Sequence, residues 1–553
     1  MSEKMTSINP QILVWCREAS GVSFEEASKK FGADKLSNWE NGVDYPTYTQ
    51  LQQLCDFYRK PVAICFFPEP PVFKSLSTSF RTIPSIIKDN LLNRNTIKLV
   101  DEARVMQLNL YELNGHENIP YTYFSSRAFS QNLPQMAKEL RQILNVTISR
   151  QKKINSSSEH FEFWREKFSE IGVFVFKDAF GDNSISGFCL YDDVFPIIYI
   201  NNSLSFTRQT FTLFHELCHI IYKTSGIDVL NDQVYHSSLT ASDLAIERTC
   251  NAFAGAFLVP DEDFNKQIQG KHPTEAYVSH LASSYGVSRE VILRKFLDLH
   301  WISQEEYLER SSEYTQDYFR AQKVSASQKT SSGNYYNTQA SYKGRQYTEL
   351  VFNRYYASKI TLAQAAQYMN MNVVDNNIFS RAFKNLSMDV FDDIWEPWSL
   401  YMKSGRIVSV DEVYRELGVW TSSGGKDQIS QWLKLHKSYF LKPTNQEGFI
   451  LQEIFKSKKF REGIKEKSLR QGSPEADAFL VAKAKYLGGI VVTAESDDKP
   501  GSEKIPNMAV AQGVPYMKID DFYKMLRNVH NGRPENKGVK IYRNLGISED
   551  LAI

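Results

Sequence analysis

At 553 residues the chain is long enough for about three or four folding units of roughly 100–200 residues each. Hydrophobic residues at 42% and charged residues at 23% are ordinary globular usage, which excludes a disordered, collagenous or solenoid chain. Lys+Arg at 65 against Asp+Glu at 64 leaves +1, so no net charge draws the whole molecule to nucleic acid or anionic lipid.

The first residues, MSEKMTSINPQ, contain no apolar core of a signal segment, and the apolar stretch from Val62 to Phe67 is too short for a bilayer and is closed by Pro68 and Pro70. Six cysteines at 16, 55, 65, 189, 218 and 250 form no CxxC pair and stop before the last third of the chain. That usage predicts a soluble protein of a reducing, cytoplasmic compartment.

From about 9 to 70 the pattern predicts short helices. Ser23 caps one that runs through Phe24, Ala27 and Phe31, and Gly42 and Pro46 break the period before Tyr48-Leu51-Leu54-Cys55-Phe57-Tyr58. This text fits a compact helix–turn–helix unit or another small helical bundle. Amphipathic helices follow at 96–113 and 135–144. The runs Val173 to Phe176 and Val194 to Ile200 are β-rich and bounded by turn residues, so strands precede the next helix and an α+β domain is expected. The stretch Ala321 to Asn334, rich in Ser, Lys and Gln, reads as an exposed linker or lid. Beyond helical segments at 347–356 and 362–368, short apolar runs at Val373-Val374, Ile407 to Val410 and Gly489 to Val492 alternate with helices. That alternation implies an α/β unit with a parallel sheet.

The chemistry concentrates in Arg208 to His219, where His215-Glu216-Leu-Cys-His219 forms an HExxH on a helix-forming apolar background. Histidines at i and i+4 project from one helical face and reach one zinc ion, and Glu216 beside them can take a proton from water. The alternative is a pair of satisfied core histidines, and a third ligand decides between them. Glu247, 28 positions after His219, starts Glu247-Arg-Thr-Cys-Asn251-Ala-Phe253-Ala254 and completes a His₂Glu set with one open tetrahedral position.

The text around Arg208 to His219, the Glu247–Asn251–Phe253–Ala254 segment and Leu258-Val-Pro260 together resemble the ImmA/IrrE-type metallopeptidases. The N-terminal text Asn9-Pro-Gln-Ile-Leu, Trp39-Glu-Asn-Gly42, Pro46-Thr and Phe66-Phe-Pro-Glu-Pro-Pro71 resembles the Xre-like helix–turn–helix that such members carry ahead of the peptidase, so the resemblance runs from about 9 to 370. It implies a zincin-like fold in which His215, His219 and Glu247 bind zinc and Glu216 is the general base. It also makes Ile197 to Asn201 the strand beside which an extended peptide substrate lies. Cys218 and Cys250 read as core fillers, with extra ligands or redox switches as the alternative, and His236 reads as a loop histidine. Gly32 to Asn38 is short for a full turn plus recognition helix and offers Lys35 and Asn38 as base or phosphate readers, so DNA binding through 9–70 competes with a docking or dimerisation role.

In the last third, Asp375 follows a short apolar run, Glu412 and Glu416 lie one helical turn apart after another, Asp477 opens a helix and Glu495 ends a strand. Carboxylates at strand ends and helix starts suit Mg²⁺ or Mn²⁺, which prefer oxygen ligands; individually each acid is equally a helix cap or a solvated residue. The order Asp375, Glu416, Asp477, Glu495, with its Ala-Asp…Ala-Lys-Ala and Val-Val-Thr-x-Glu texts, resembles a PIN-like ribonuclease domain of toxin–antitoxin loci. Both Glu412 and Glu416 fit the second acid, and the resemblance favours Glu416 because Leu-Gly follows it as in that family. The cations from Lys456 to Arg470 read either as an RNA-steering strip or as a solvated helix face.

These readings combine into a multidomain α+β and α/β chain: an Xre-like module at 1–72, a zinc metallopeptidase domain at 73–320, a linker and helical extension at 321–370, and a PIN-like nuclease domain at 371–553. The expected partners are a protein or peptide substrate for the peptidase and RNA for the C-terminal domain, with intramolecular domain contacts and no membrane. The rival readings are a silent peptidase-like scaffold acting as antitoxin or sensor for the nuclease, and an Xre-type transcriptional regulator.

Overall fold

The computed structural model describes residues 3–71, 94–181, 183–229, 241–328, 341–360, 364–365, 368–369, 378–418, 428–495, 501–545 and 547–550. The chain divides into two compact units. One combines Met1–Val72, Leu362–Gln367 and Met371–Ile553, and the other holds Phe73–Thr361 with Tyr368–Asn370. Among the described residues no helix is long and apolar enough to cross a membrane.

The first unit begins with α1 (Pro10–Ala19), α2 (Phe24–Phe31), α3 (Ala33–Glu40) and α4 (Tyr48–Tyr58). The Ser23 hydroxyl accepts the Glu26 N–H at 3.0 Å and starts α2. Gly32, at φ +90°, is the single residue between α2 and α3, a conformation that side chains rarely adopt. A Thr47–Gln50 capping box starts α4. Ile12, Leu13, Cys16, Leu36, Trp39, Leu51 and Leu54 form the core of this module, while Lys35 and Asn38 are exposed on α3.

In the second unit, α5 (Arg94–Asn114) and α6 (Ser157–Glu170) lead into β1 (Phe174–Asp178), β2 (Ile185–Leu190) and β3 (Ile197–Asn201). Then come α7 (Phe206–Ile221), β4 (Ile227–Val229), α8 (Ala241–Leu258) and α9 (Gln304–Gln328). The sheet runs β1-β3-β2-β4, with β1 parallel to β3 and β2 antiparallel to both β3 and β4. The Ser205 hydroxyl accepts the Arg208 N–H at 3.3 Å and starts α7. Aromatic side chains lock α6, α7 and α8 together: Phe214 stacks on Phe257 at 4.1 Å, and Trp164 meets both edge-on at 5.1 and 5.3 Å. Truncating a buried ring of this kind costs about 3–5 kcal/mol, so this cluster sets the relation of the two helices that carry the HExxH and Glu247.

Two expectations change here. The strand Ile197–Asn201 is paired on both edges, by β1 and by β2, so its backbone groups are already spent and no peptide can add to it. The expected linker begins as helix, because α9 continues to Gln328, and the remainder of 321–334 lies outside the described residues. Gln, Lys, Ala and Ser have adequate helix propensity, so a polar composition alone does not break a helix already under way.

The C-terminal part of the first unit contains β5 (Ser409–Val410), α10 (Asp411–Glu416), β6 (Phe440–Leu441), α11 (Asn445–Lys456), α12 (Asp477–Leu487), β7 (Val491–Thr493), β8 (Tyr516–Lys518), β9 (Lys540–Asn544) and β10 (Ile547–Asp550). The expected all-parallel sheet is a mixed one. β5 and β6 form a separate parallel pair, β7 is parallel to β8, and β8–β9 and β9–β10 are antiparallel. A helix joins β7 to β8 and permits a parallel crossover, whereas the two residues between β9 and β10 permit only a hairpin. The run Val373-Val374 lies outside the described residues.

Candidate metal centre

His215, Glu216 and His219 are fully buried on the inward face of α7, and Glu247, 4% exposed, faces them from α8. The two imidazole Nε2 atoms lie 3.2 Å apart. Glu247 Oε2 is 3.2 Å from His215 Nε2, and Oε1 is 3.4 Å from His219 Nε2. Zinc–ligand bonds of about 2.0–2.1 Å in a tetrahedron put neighbouring donor atoms about 3.3–3.4 Å apart, so the three donors have the spacing of one face of that tetrahedron. Among the described residues this is the only group of three potential ligands with such spacing.

The remaining ring nitrogens are held outward. His215 Nδ1 lies 3.0 Å from Asn251 Oδ1, one turn after Glu247 on α8, so its N–H donates to the amide oxygen. His219 Nδ1 lies 3.2 Å from the Thr224 hydroxyl, which itself donates to the His219 carbonyl at 3.1 Å and is therefore left to accept from the ring. With Nδ1 engaged on both rings, each presents Nε2 to the same point, the arrangement that fixes tautomer and orientation in histidine metal sites. Burial pushes the Glu247 carboxyl up, but the adjoining His215 and His219 rings outweigh it and bring the group down to about 2, so it is an anion at neutral pH.

Three residues that the motif does not reveal complete the surroundings. Besides Thr224, Gly226 lies so close to the His219 ring that an added Cβ would sit 2.6 Å from it, so only glycine leaves the ring in place. The Cys189 thiol of β2 accepts the Gly226 N–H at 3.3 Å and donates to the Thr224 carbonyl at 3.7 Å; burial first, then the Glu216 charge, push it well above the usual thiol range. Cys218 and Cys250 are fully buried, and burial followed by a hydrogen bond to Cys218 pushes the Cys250 thiol well up, which suits inert core packing. His236 lies outside the described residues.

The C-terminal acids are arranged differently. Asp375 lies outside the described residues. Glu416, at the end of α10, accepts the Ala476 N–H at 2.9 Å just before α12. Burial, then the charges of Asp477 and Glu475, push its carboxyl well above the usual range. Glu412 is buried and bonded to Tyr48 and Arg415. Glu495 follows β7 as expected, but its carboxylate accepts the Ile505 N–H at 2.9 Å and starts the next helix. Among the described residues, Glu416, Asp477 and Glu495 do not come together at metal-sharing distance. The basic strip is largely paired: Lys456 with Glu453, Lys458 with Glu462, Arg461 with Glu69 and Arg470 with Glu466.

Comparison with known proteins follows this division. Residues 168–297 match the IrrE N-terminal-like domain, Peptidase_M78. The matched segment spans the whole sheet, α7 and α8, and so contains His215, Glu216, His219 and Glu247. It supports a metallopeptidase-type or regulatory role, and the His-His-Glu group agrees with the zinc dependence of that domain family. Residues 372–530 match a domain of unknown function, DUF4411. No curated protein matches the chain.

Proposed function

We propose that the IrrE-like domain is a zinc-dependent endopeptidase acting on a regulatory protein. One observation carries the reading: α7 and α8 bring two imidazole nitrogens and one carboxylate to tetrahedral-edge spacing with Glu216 next in line on the same helix. His215, His219 and Glu247 would hold the ion, which when bound supplies Lewis acidity to a peptide carbonyl and to water. Glu216 takes the proton from the attacking water and returns it to the leaving amine. Asn251 and Thr224 keep the two rings in the ligating tautomer. β4, next to Gly226 and at the edge of the sheet among the described residues, offers its outer edge to an extended substrate in place of Ile197–Asn201. The test is Glu216→Gln against a proteome-derived peptide library read by mass spectrometry. Zinc is retained and cleavage is lost; unchanged cleavage refutes the assignment.

A second activity is proposed for the C-terminal part, metal-dependent RNA cleavage at Glu416 and Asp477 with Asp375 and Glu495. The observation that favours it is that Glu416 accepts the N–H of Ala476, the residue before Asp477, at 2.9 Å, and that after burial the Asp477 charge adds to the rise of its carboxyl. Like charges held together raise a carboxyl and are relieved by a Mg²⁺ or Mn²⁺ ion. Manganese titration of the full chain and of Glu416→Gln with Asp477→Asn tests it, and identical binding by both proteins would end it.

A further inference from the structure

We propose that the N-terminal helical module is a dedicated intramolecular clamp on the C-terminal part, with α4 and the residues on either side of it as the docking face. On this account the chain's two ends make one composite unit, into which the IrrE-like domain is inserted. The inference is independent of the nuclease reading.

The contacts are polar, apolar and steric, and they fall on three separate helices. Towards α10, the Tyr48 hydroxyl donates to Glu412 at 2.6 Å within the buried interface, Gln52 Nε2 donates to Asp411 at 2.5 Å, and Arg415 pairs with both Asp56 and Glu412. Towards α11, Asn445 brackets the chain entering the module: its Oδ1 accepts the Ser7 N–H at 3.0 Å and its Nδ2 donates to Thr6 at 2.7 Å. Phe67 packs on Phe455 at 4.9 Å. Towards α12, Tyr48 and Phe66 both meet the Phe479 ring edge-on, at 6.5 and 6.0 Å.

Glycine at 448 permits this approach. A Cβ there would lie 1.9 Å from Ser7 Oγ and 2.8 Å from Ser7 Cβ, so the two surfaces touch without room for one methyl group. Buried charge makes the contact selective: Glu412 is 1% exposed and its partners Tyr48 and Arg415 come from both sides of the interface. Removing the Tyr48 hydroxyl while the parts stay docked would leave that carboxylate buried with Arg415 alone, and a buried charge that loses a partner is costly. The exposed α3 residues Lys35 and Asn38 lie outside all these contacts, so the clamp uses a face of the module distinct from the one that would read nucleic acid.

The test uses the full chain with a recognition site for an added site-specific protease placed between residues 72 and 93 and another between 329 and 340. After cutting, the N-terminal fragment co-elutes with the C-terminal fragment in size exclusion. Gly448→Ala weakens that retention by more than about tenfold, as overpacking of a tight contact does. Ser7→Gly added to Gly448→Ala restores it, which a simple folding defect in α11 would not allow. Elution of the N-terminal fragment on its own from the unsubstituted protein overturns the proposal. So does retention that Gly448→Ala leaves unchanged, or a loss that Ser7→Gly fails to repair.

Discussion

The two acid-bearing regions of this chain solve opposite problems. Around α7 and α8, the groups behind the two rings turn the donors inward: Asn251 on one ring, Thr224 on the other, Gly226 making room. In the C-terminal part the acids are engaged one by one, Glu412 by Tyr48 and Arg415, Glu495 by the Ile505 amide, and Glu416 by the Ala476 amide. The difference teaches that carboxylate spacing along a chain is weak information, whereas a second layer of hydrogen bonds aimed at the donors is strong information. A preorganised site carries its orientation in its supports.

The largest effect expected from this contrast is at Glu216. Removing a general base costs about 10²–10⁴ in rate, so Glu216→Gln should lose at least that much peptidase activity with zinc content unchanged. Equal loss from Glu416→Gln would break the contrast, because it would place the peptidase chemistry in the wrong half of the chain. Next come the supports. Asn251→Ala and Thr224→Val, measured by competition with a zinc chelator, should each weaken zinc binding by about 10–100-fold. No change in either would mean that the outward hydrogen bonds do not orient the rings.

A smaller effect concerns pH in the first unit. The folded-state carboxyl groups of Glu416 and Glu412 are both raised, chiefly by burial. Below the unfolded pKa of about 4.3 both states are protonated and no stability is lost. As pH rises from there towards the folded pKa, the unfolded chain ionises first and stability falls. Thermal unfolding of the first unit should therefore lose stability in this respect as pH rises above about 4.3. Glu416→Gln should flatten the profile and raise the midpoint at neutral pH; a steeper profile in the variant would contradict the assigned shift.

How much of this was legible in the residues themselves follows from the range of the interactions. The HExxH and the later Glu247 were readable because helical periodicity puts His215 and His219 on one face, and a second helix, which already runs from Ala241 and not from Glu247, carries the third donor. Ser23 as a helix cap was equally local. Thr224, Gly226 and Cys189 were not readable, since their roles depend on how close the β2–β4 pair comes to α7 and leave no periodic trace. The strand at 197–201 was recognised as a strand but not as an interior one, because strand order is a tertiary choice. The clamp was invisible for the same reason: Tyr48 and Glu412 are 364 positions apart, and nothing near either one announces the other. At the C-terminal end, Val491–Thr493 showed itself by its β-branched run, while Lys540–Asn544, with Lys540 and Arg543 in it, did not.

The claim on which the central site depends is tested most directly by metal analysis of the purified full chain and its variants. The account predicts about one zinc per chain, kept in Glu216→Gln and lost in both His215→Ala and Glu247→Ala while the fold persists by circular dichroism. Zinc that remains bound after Glu247→Ala, or a folded wild-type protein that takes up none when zinc is supplied, would contradict it.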